Sequence, residues 1–400
     1  MSLPAMLTWA DGHSPLLLVA RATRSRADAA RAAASILQPS NPEVSIAAGP
    51  RIGIAGTGVD VEAALSQQLQ VAGERGLRMA AAARVSELTD AEIEQIRWTV
   101  HAEVHALFHR VLVESERVRL AEQVATFQRD VLGVVERNAR AGETAPLNAR
   151  LARAEVAQSE QSLVAARQSR NVALLRLALV AGWSPGAPPT LRGELDPPRD
   201  PPPDEDLAAT AERFTPLLRQ RAAAVREAQA RVDLADREAW PRPTVGVQYR
   251  REGNPTSEGA YDIVLGALSV PLPGFQRNQA ERARARADLA MAEADLAAAR
   301  MQLRVQLAEA RSEMAAAAQR TRAYGAEILP RFAENLALLR RSFEVGEIDI
   351  LALLVGRERF LRIQSDALAA QLDYFVAMAA LERLVGVDLW QDEHPEGTPR

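Results

Sequence analysis

Leu65-Ser66-Gln67-Gln68-Leu69 closes a run of alternating side chains, and a related pentapeptide, Leu268-Ser269-Val270-Pro271-Leu272, closes another one 203 residues later (268 − 65 = 203). The first run sets Val59, Val61, Ala63, Leu65, Gln67 and Leu69 against Asp60, Glu62, Ala64, Ser66 and Gln68. A period of two, with small or polar residues on one parity, predicts a half-buried strand. Ahead of it, Gly53 to Gly58 supplies a turn and Val44, Ile46 and Ala48 alternate in the same way, so residues 43–70 read as a β-hairpin. Strand-like Thr244 to Arg251, a polar turn at Gly253-Asn254-Pro255 and strand-like Tyr261 to Leu272 give a second hairpin over 244–272.

Helical patterns flank both hairpins in the same order. An Ala/Arg-rich stretch from about Leu3 to Leu37 stops at Pro39-Ser40-Asn41-Pro42, and its counterpart from about Leu207 to Glu238 stops at Trp240-Pro241-Arg242-Pro243. A long helix follows Gly73 to about Ala139, with a candidate capping box at Thr89-Asp90-Ala91-Glu92. Gly142 punctuates it, and a return helix spans about Ala145 to Ala181. In the second half a long helix starts near Arg277 and runs to about Gly325, with an irregularity expected at Pro330; Gly346 punctuates, and a last helix ends at Gly386. Gly142 to Gly182 is 40 positions and Gly346 to Gly386 is 40 again. Pro42 and Pro243 lie 201 apart, Arg75 and Arg277 202, and Arg137 and Arg341 204. Ordered landmarks at near-constant offset identify a tandem duplication. The expected organisation is a first repeat over 1–183, a Pro-rich linker over 184–206, a second repeat over 207–388 and a polar tail over 389–400.

Composition narrows the functions open to such a chain. Aromatic residues make up only 4%, which suits thin layers of closely packed helices better than a thick globular core. A net charge of −4 with both signs interspersed offers no basic field for nucleic acid. Every basic side chain apart from histidine is arginine; without lysine there is neither a P-loop lysine nor a Schiff-base lysine. Without cysteine there is no disulfide, thiolate metal site or lipidated cysteine. No stretch reaches the roughly 18 apolar residues of a membrane-crossing helix. No secretory leader is visible either, because the apolar run Ser14 to Ala20 is short and interrupted by Arg21. An exported protein therefore requires a leader already removed or lying upstream.

Two hairpins per chain are too few strands to close a barrel, and open edges invite pairing with other chains. Three chains supply 12 strands (3 × 4), enough to close around a passage. The strands lack strong outward hydrophobicity. The helix from about Arg75 to Ala139 would extend nearly 100 Å at ~1.5 Å per residue, and such a rod needs partners along its length. The fold class expected is mainly α, a long α-helical barrel joined to four strands per chain of a trimeric, 12-stranded transmembrane β-barrel. A soluble coiled-coil scaffold is the alternative from another class, and it leaves the duplicated hairpins unexplained.

The chain resembles the TolC-like outer membrane efflux proteins over nearly its full length. Asn41-Pro42 and Trp240-Pro241-Arg242-Pro243 carry part of the likeness; Pro271, Leu272, Pro273, Phe275, Arg277, Asn278 and Gln279 carry the most specific part, similar to the PLP-x-F-x-RNQ segment of the heavy-metal (CzcC/CusC-like) branch. Branch members with a lipidated cysteine differ from this cysteine-free chain. The resemblance implies a homotrimer in outer-membrane lipid of a Gram-negative bacterium, with a helical tunnel through the periplasm. It also implies docking to a periplasmic adaptor (membrane fusion protein) and an inner-membrane RND-type pump, with no catalysis and no cofactor. Heavy-metal cations are the favoured cargo; drugs, other organic compounds or type I secretion substrates are the alternative.

Several residues follow from this. By position and family, Arg137, Arg140, Gly142, Glu143, Arg341, Gly346 and Glu347 fall at the two turns expected to meet the adaptor, although glycine caps and a solvated charged face explain them equally simply. Glu347 and Asp349 lie where the family places acidic residues near a constricted mouth, and three copies would form a cation-favouring ring. Stabilisation of a helix N-terminus is the plainer explanation of Asp349. His101, His105 and His109 share one helical face at i, i+4 spacing, which suits metal ligation but more commonly marks a polar face. Gly182-Trp183-Ser184-Pro185-Gly186 matches G-x-S-x-G formally but lacks the strand–turn–helix setting of a nucleophile elbow.

Overall fold

A computed structural model describes residues 1–54, 56–142, 145–184, 186, 189–253, 260–345, 347–348 and 350–389, the side chains of 343, 344, 350 and 351 excepted. Among the described residues the order is α1 (Leu3–His13), α2 (Pro15–Ala22), α3 (Arg24–Ser35), β1 (Glu43–Gly53), β2 (Gly56–Gln68), α4 (Glu74–Arg140) and α5 (Pro146–Ala181). There follow α6 (Asp204–Phe214), α7 (Pro216–Arg237), β3 (Thr244–Glu252), β4 (Tyr261–Ser269), α8 (Gln279–Ala323), a π-helical turn (Tyr324–Ile328), α9 (Leu329–Glu344) and α10 (Ile350–Val385). The chain divides into two compact units, one made of Met1–Ala22, Glu92–Arg219 and Arg300–Arg400, the other of Thr23–Ala91 and Gln220–Ala299.

The helices read as continuous before each hairpin are broken. In the first half α1 and α2 are separated at Ser14-Pro15, and α3 starts only at Arg24; in the second, α6 and α7 are separated at Thr215-Pro216. A residue before proline is pushed out of the α region by the ring. Ser14 (φ −55°, ψ 125°) and Thr215 (φ −56°, ψ 126°) take the same extended conformation, and both are fully buried. The long helix of the second half also outruns its expected end at Gly325. Leu329 donates its N–H to the Tyr324 carbonyl, a π-type bond, and the chain continues helical through Pro330 to Glu344. The wider turn accommodates a proline that cannot take its place in the α ladder.

In the first unit a core of Met6, Ala10, Leu17, Val100, Val104, Phe108, Ala173 and Leu177 joins α1, α2, α4 and α5. The α4–α5 hairpin is laced by Arg129–Glu160 (3.1 Å), Arg153–Glu136 (2.8 Å) and Arg167–Glu122 (2.8 Å) around the small contact of Val118, Ala125 and Leu163. Among the described residues the Pro-rich linker has no regular element before α6 takes over its last residues at Asp204, but it is tied down. Arg199 N donates to the Tyr374 hydroxyl (3.0 Å), Gln371 Nε2 to the Leu195 carbonyl (3.1 Å) and Arg311 Nε to the Pro202 carbonyl (3.0 Å).

In the second unit the four strands form one antiparallel sheet in the order β1-β2-β3-β4. The two hairpins are joined by β2 pairing with β3, from Val61 opposite Arg251 to Gln68 opposite Thr244. β1 and β4 are left as open edges.

Candidate channel wall and helical tips

The pairing register decides which side chains share a face of this sheet. Val44, Leu65 and Val247 fall in one row, Ile46, Ala63, Tyr249 and Val264 in the next, and Gln67, Val245 and Leu268 in another. This face is mostly apolar and uncovered, interrupted by the paired charges Arg251 and Asp262 in the row of Ala48 and Val61: Ile46 is 75% exposed, Val264 69% and Leu268 70%. The weak outward hydrophobicity read from single strands is thereby corrected, because residues that look sparse along each strand become contiguous across four.

The opposite face carries Glu43, Arg51, Asp60, Glu62, Gln248, Arg250 and Glu252. Arg51 pairs with Asp60 and with Glu252 (both 3.0 Å), Arg250 pairs with Glu62 (3.2 Å), and Gln248 Nε2 donates to Glu62. Four acidic and two basic side chains leave this face acidic by two charges (4 − 2 = 2). β4 departs from the pattern by turning Ile263 and Leu265 to the polar side. Apolar out and polar in, over strands of 9 to 13 residues, is the arrangement of a lipid-embedded barrel wall with an aqueous interior. No helix among the described residues is long and apolar enough to cross a membrane.

The segment from Pro271 to Gln279 turns the chain from β4 into α8 by bonding to itself. Gly274 N donates to the Leu272 carbonyl (2.8 Å), Arg277 Nε to the Pro273 carbonyl (2.9 Å) and Gln279 Nε2 to the Phe275 carbonyl (2.9 Å). Asn278 is left-handed (φ 56°), and its Nδ2 donates to the Ala235 carbonyl on α7 (3.0 Å). Asparagine tolerates this conformation better than other side-chain-bearing residues. Arg277 N then donates to Gln279 Oε1 (2.7 Å).

The first half builds its turn the same way: Gly73 is left-handed (φ 83°) and Ala72 N donates to Glu74 Oε2 (2.9 Å). By construction Gly73 corresponds to Asn278 and Glu74 to Gln279, an offset of 205 (278 − 73, 279 − 74). The pairing of Arg75 with Arg277 is thus shifted by three residues, because the left-handed residue rather than the arginine fixes where each helix begins. Leu272 and Phe275 stand 87% and 95% exposed at this junction.

At the far end of α4, Arg137 and Arg140 lie one turn apart and exposed, and Gly142 closes the helix left-handed (φ 78°) with its N–H on the Ala139 carbonyl. Arg341 is exposed in the last turn of α9; Glu347 is exposed after it and donates its N–H to the Ser342 carbonyl (2.8 Å). These two groups belong to separate hairpins, α4–α5 and α9–α10. Glu143, Gly346 and Asp349 lie outside the described residues.

The histidine face divides. His105 Nδ1 lies 3.0 Å from Glu382 Oε2, and His101 Nε2 lies 4.0 Å from that oxygen and 2.9 Å from Asp388 Oδ1. His109 does not join them: its Nδ1 donates to the His105 carbonyl (3.0 Å), and its ring stacks on Phe375 at 3.7 Å. Burial pushes the His109 pKa down to about 3, so the ring is neutral and serves packing. Glu382 and Asp388 could not be found from the histidine spacing, since Glu382 lies 277 positions away from His105.

Residues 208–387 match the family described as outer membrane efflux protein. The chain is 26% identical over 322 residues to the cobalt-zinc-cadmium resistance protein CzcC of Cupriavidus metallidurans, covering 80% of this chain and 75% of that one. In fold it is similar to CusC (TM-score 0.75, 13% identity, 96% of this chain and 92% of that one). It is likewise similar to the outer membrane protein VceC of Vibrio cholerae (TM-score 0.71, 16% identity, 96% of each). Its relatives are outer membrane efflux channels, not enzymes.

Proposed function

We propose that this chain, a TolC-like outer membrane efflux protein in sequence and fold, is one third of a channel that passively conducts transition-metal cations out of the periplasm. The observation that carries the reading is the sheet with two open edges, one apolar face and one acidic face. Unpaired edges are tolerated in lipid only when they close on further strands. β4 of one copy pairing with β1 of the next makes a closed, 12-stranded wall from three chains (3 × 4). Each half of the tandem duplication supplies one hairpin. The acidic excess on the inner face, multiplied by three, favours cations, as charged rings do in other channels. Likeness to a cobalt-zinc-cadmium resistance protein points the same way for cargo. Leu272 and Phe275 suit the membrane boundary at the strand-to-helix junction.

The test is conductance. Protein extracted from membranes in detergent should run as a trimer and form discrete, cation-selective pores in planar bilayers. Asp349→Asn should lower the cation-to-anion permeability ratio if three copies of Asp349, with Glu347, line the aperture. A monomer without pore activity sinks the channel; unchanged selectivity in the variant removes Asp349 from the aperture.

The energy for export comes from a pump and adaptor in the inner membrane and periplasm, which meet the tips carrying Arg137, Arg140, Gly142, Glu143, Arg341, Gly346 and Glu347. Reversing one exposed tip charge, Arg137→Glu, is expected to weaken capture of a periplasmic adaptor by about tenfold, or ~1.4 kcal/mol. Surface plasmon resonance on immobilised trimer measures it. Equal binding by the variant would move the contact away from this tip.

A further inference from the structure

We propose that His101, His105 and Glu382, supported by Asp388, form a resident site for one divalent transition-metal ion of the zinc class, which pins the end of α10 to α4. This site is separate from the conducted cargo and does not rest on the channel reading.

The ligand chemistry is of the right kind. Two imidazole nitrogens and one carboxylate oxygen make an N₂O set, suited to zinc, cobalt or nickel rather than to calcium or magnesium. The geometry agrees. Donor atoms of His101, His105 and Glu382 lie within 4.8 Å of one another. The individual separations are 3.0 Å (His105 Nδ1 to Glu382 Oε2), 4.0 Å (His101 Nε2 to Glu382 Oε2) and 2.9 Å (His101 Nε2 to Asp388 Oδ1). Bonds of about 2.0–2.1 Å to a tetrahedral ion put neighbouring ligand atoms about 3.3 Å apart, and these separations bracket that value.

Burial makes the cluster costly without a cation. Glu382 is 3% exposed and His105 5%, and the ion-pair neighbours of Glu382 are the two imidazoles. A buried carboxylate is costly unless a cation stands beside it. A divalent ion on Glu382 supplies that cation.

Further contacts hold the ligands. Leu389 N donates to Glu382 Oε1 (3.3 Å), leaving Oε2 toward the histidines. Gly386, left-handed at φ 78°, folds the chain after α10 so that Asp388 returns to His101. Three protein ligands leave the fourth tetrahedral position to a water, with Asp388 holding His101 from behind.

The ion would tie residues 101 and 105 to residue 382, fastening the last helix of the chain to the long helix of the first half. Availability of the metal would then set how firmly that part of the wall is held.

The full-length protein is purified in detergent, stripped with EDTA and dialysed against ZnCl₂ or CoCl₂. Bound metal is counted per protomer by mass spectrometry, and the cobalt form is read by visible absorption. One ion per protomer and the intense visible bands of tetrahedral cobalt are expected. His101→Ala and Asp388→Asn are each expected to lower affinity at least tenfold, the lower end of what loss of a supporting contact alone does. His109→Phe, outside the site, is expected to keep the full ion. Wild type retaining no more metal than His101→Ala would overturn the site, as would His109→Phe losing the ion together with the other variants. Asp388 lies beyond α10, so Asp388→Asn keeps the comparison informative if His101→Ala misfolds. Pores without stoichiometric metal would refute the site alone, and stoichiometric metal without pores would refute the channel alone.

Discussion

Ile46→Arg is expected to abolish assembly in the outer membrane, whereas Ser45→Arg, one residue away on the same strand, should leave it near the wild-type level. Ile46 sits in the row Ile46–Ala63–Tyr249–Val264 on the uncovered apolar face. Ser45 points to the opposite face, in the row of Ala64 and Gln248 and beside the Glu62 carboxylate. A guanidinium on the lipid side of a barrel costs ~2–4 kcal/mol near the bilayer midplane. Three symmetry-related copies therefore cost ~6–12 kcal/mol per trimer, comparable with the whole stability of an ordinary domain. On the inner face the same side chain meets water and a carboxylate. The amounts of each variant recovered as trimer from outer-membrane fractions measure the difference. Equal recovery of the two would mean that the sheet does not face lipid as assigned, and a collapse of Ser45→Arg alone would mean that the faces are inverted.

The strand pair in each half was legible because alternation is a local signal and the duplication made it appear twice. The apolar face was not, because it is a property of rows across strands. Leu65 and Val247 become neighbours only once β2 pairs with β3, and that pairing joins segments about 180 residues apart (247 − 65 = 182). The helix breaks at Ser14-Pro15 and Thr215-Pro216 carried a visible mark, the proline. Uninterrupted Ala, Leu and Arg on either side masked it, since helix propensity continues across a break that only the pre-proline residue enforces. The motif from Pro271 to Gln279 was legible as a resemblance, but its physical content, a left-handed Asn278 and a carbonyl–side-chain ladder, needed coordinates. The histidine face was half legible: spacing put three rings on one side of α4, and only the approach of α10 separates His101 and His105, which meet Glu382, from His109, which stacks on Phe375.

Gly182→Ala should destabilise the protein by ~2–5 kcal/mol, and Gly142→Ala by no more than ~1–2 kcal/mol, although both glycines end a helix in the left-handed conformation. Gly182 has φ 75° and Gly142 φ 78°, so an alanine at either meets the same backbone strain of ~1–2 kcal/mol. Their surroundings differ. A Cβ on Gly142 meets nothing within 4 Å, whereas a Cβ on Gly182 would stand 1.9 Å from the His13 carbonyl oxygen. That oxygen is backbone, fixed where Pro15 breaks α1 from α2, so relief requires moving a helix; overpacking of this kind adds ~1–3 kcal/mol. The second half repeats the device. Gly386 has φ 78°, and a Cβ on it would stand 2.7 Å from the Phe214 carbonyl oxygen and 2.6 Å from Pro216 Cδ, where Pro216 breaks α6 from α7. Gly386→Ala is therefore expected to fall with Gly182→Ala. Apparent thermal midpoints of the detergent-purified protein, taken at one scan rate because unfolding of such assemblies is commonly irreversible, give the order. If Gly182→Ala behaved like Gly142→Ala, the proline-broken carbonyl would not be what these glycines accommodate, and the shared construction of the two halves would lose its physical cause.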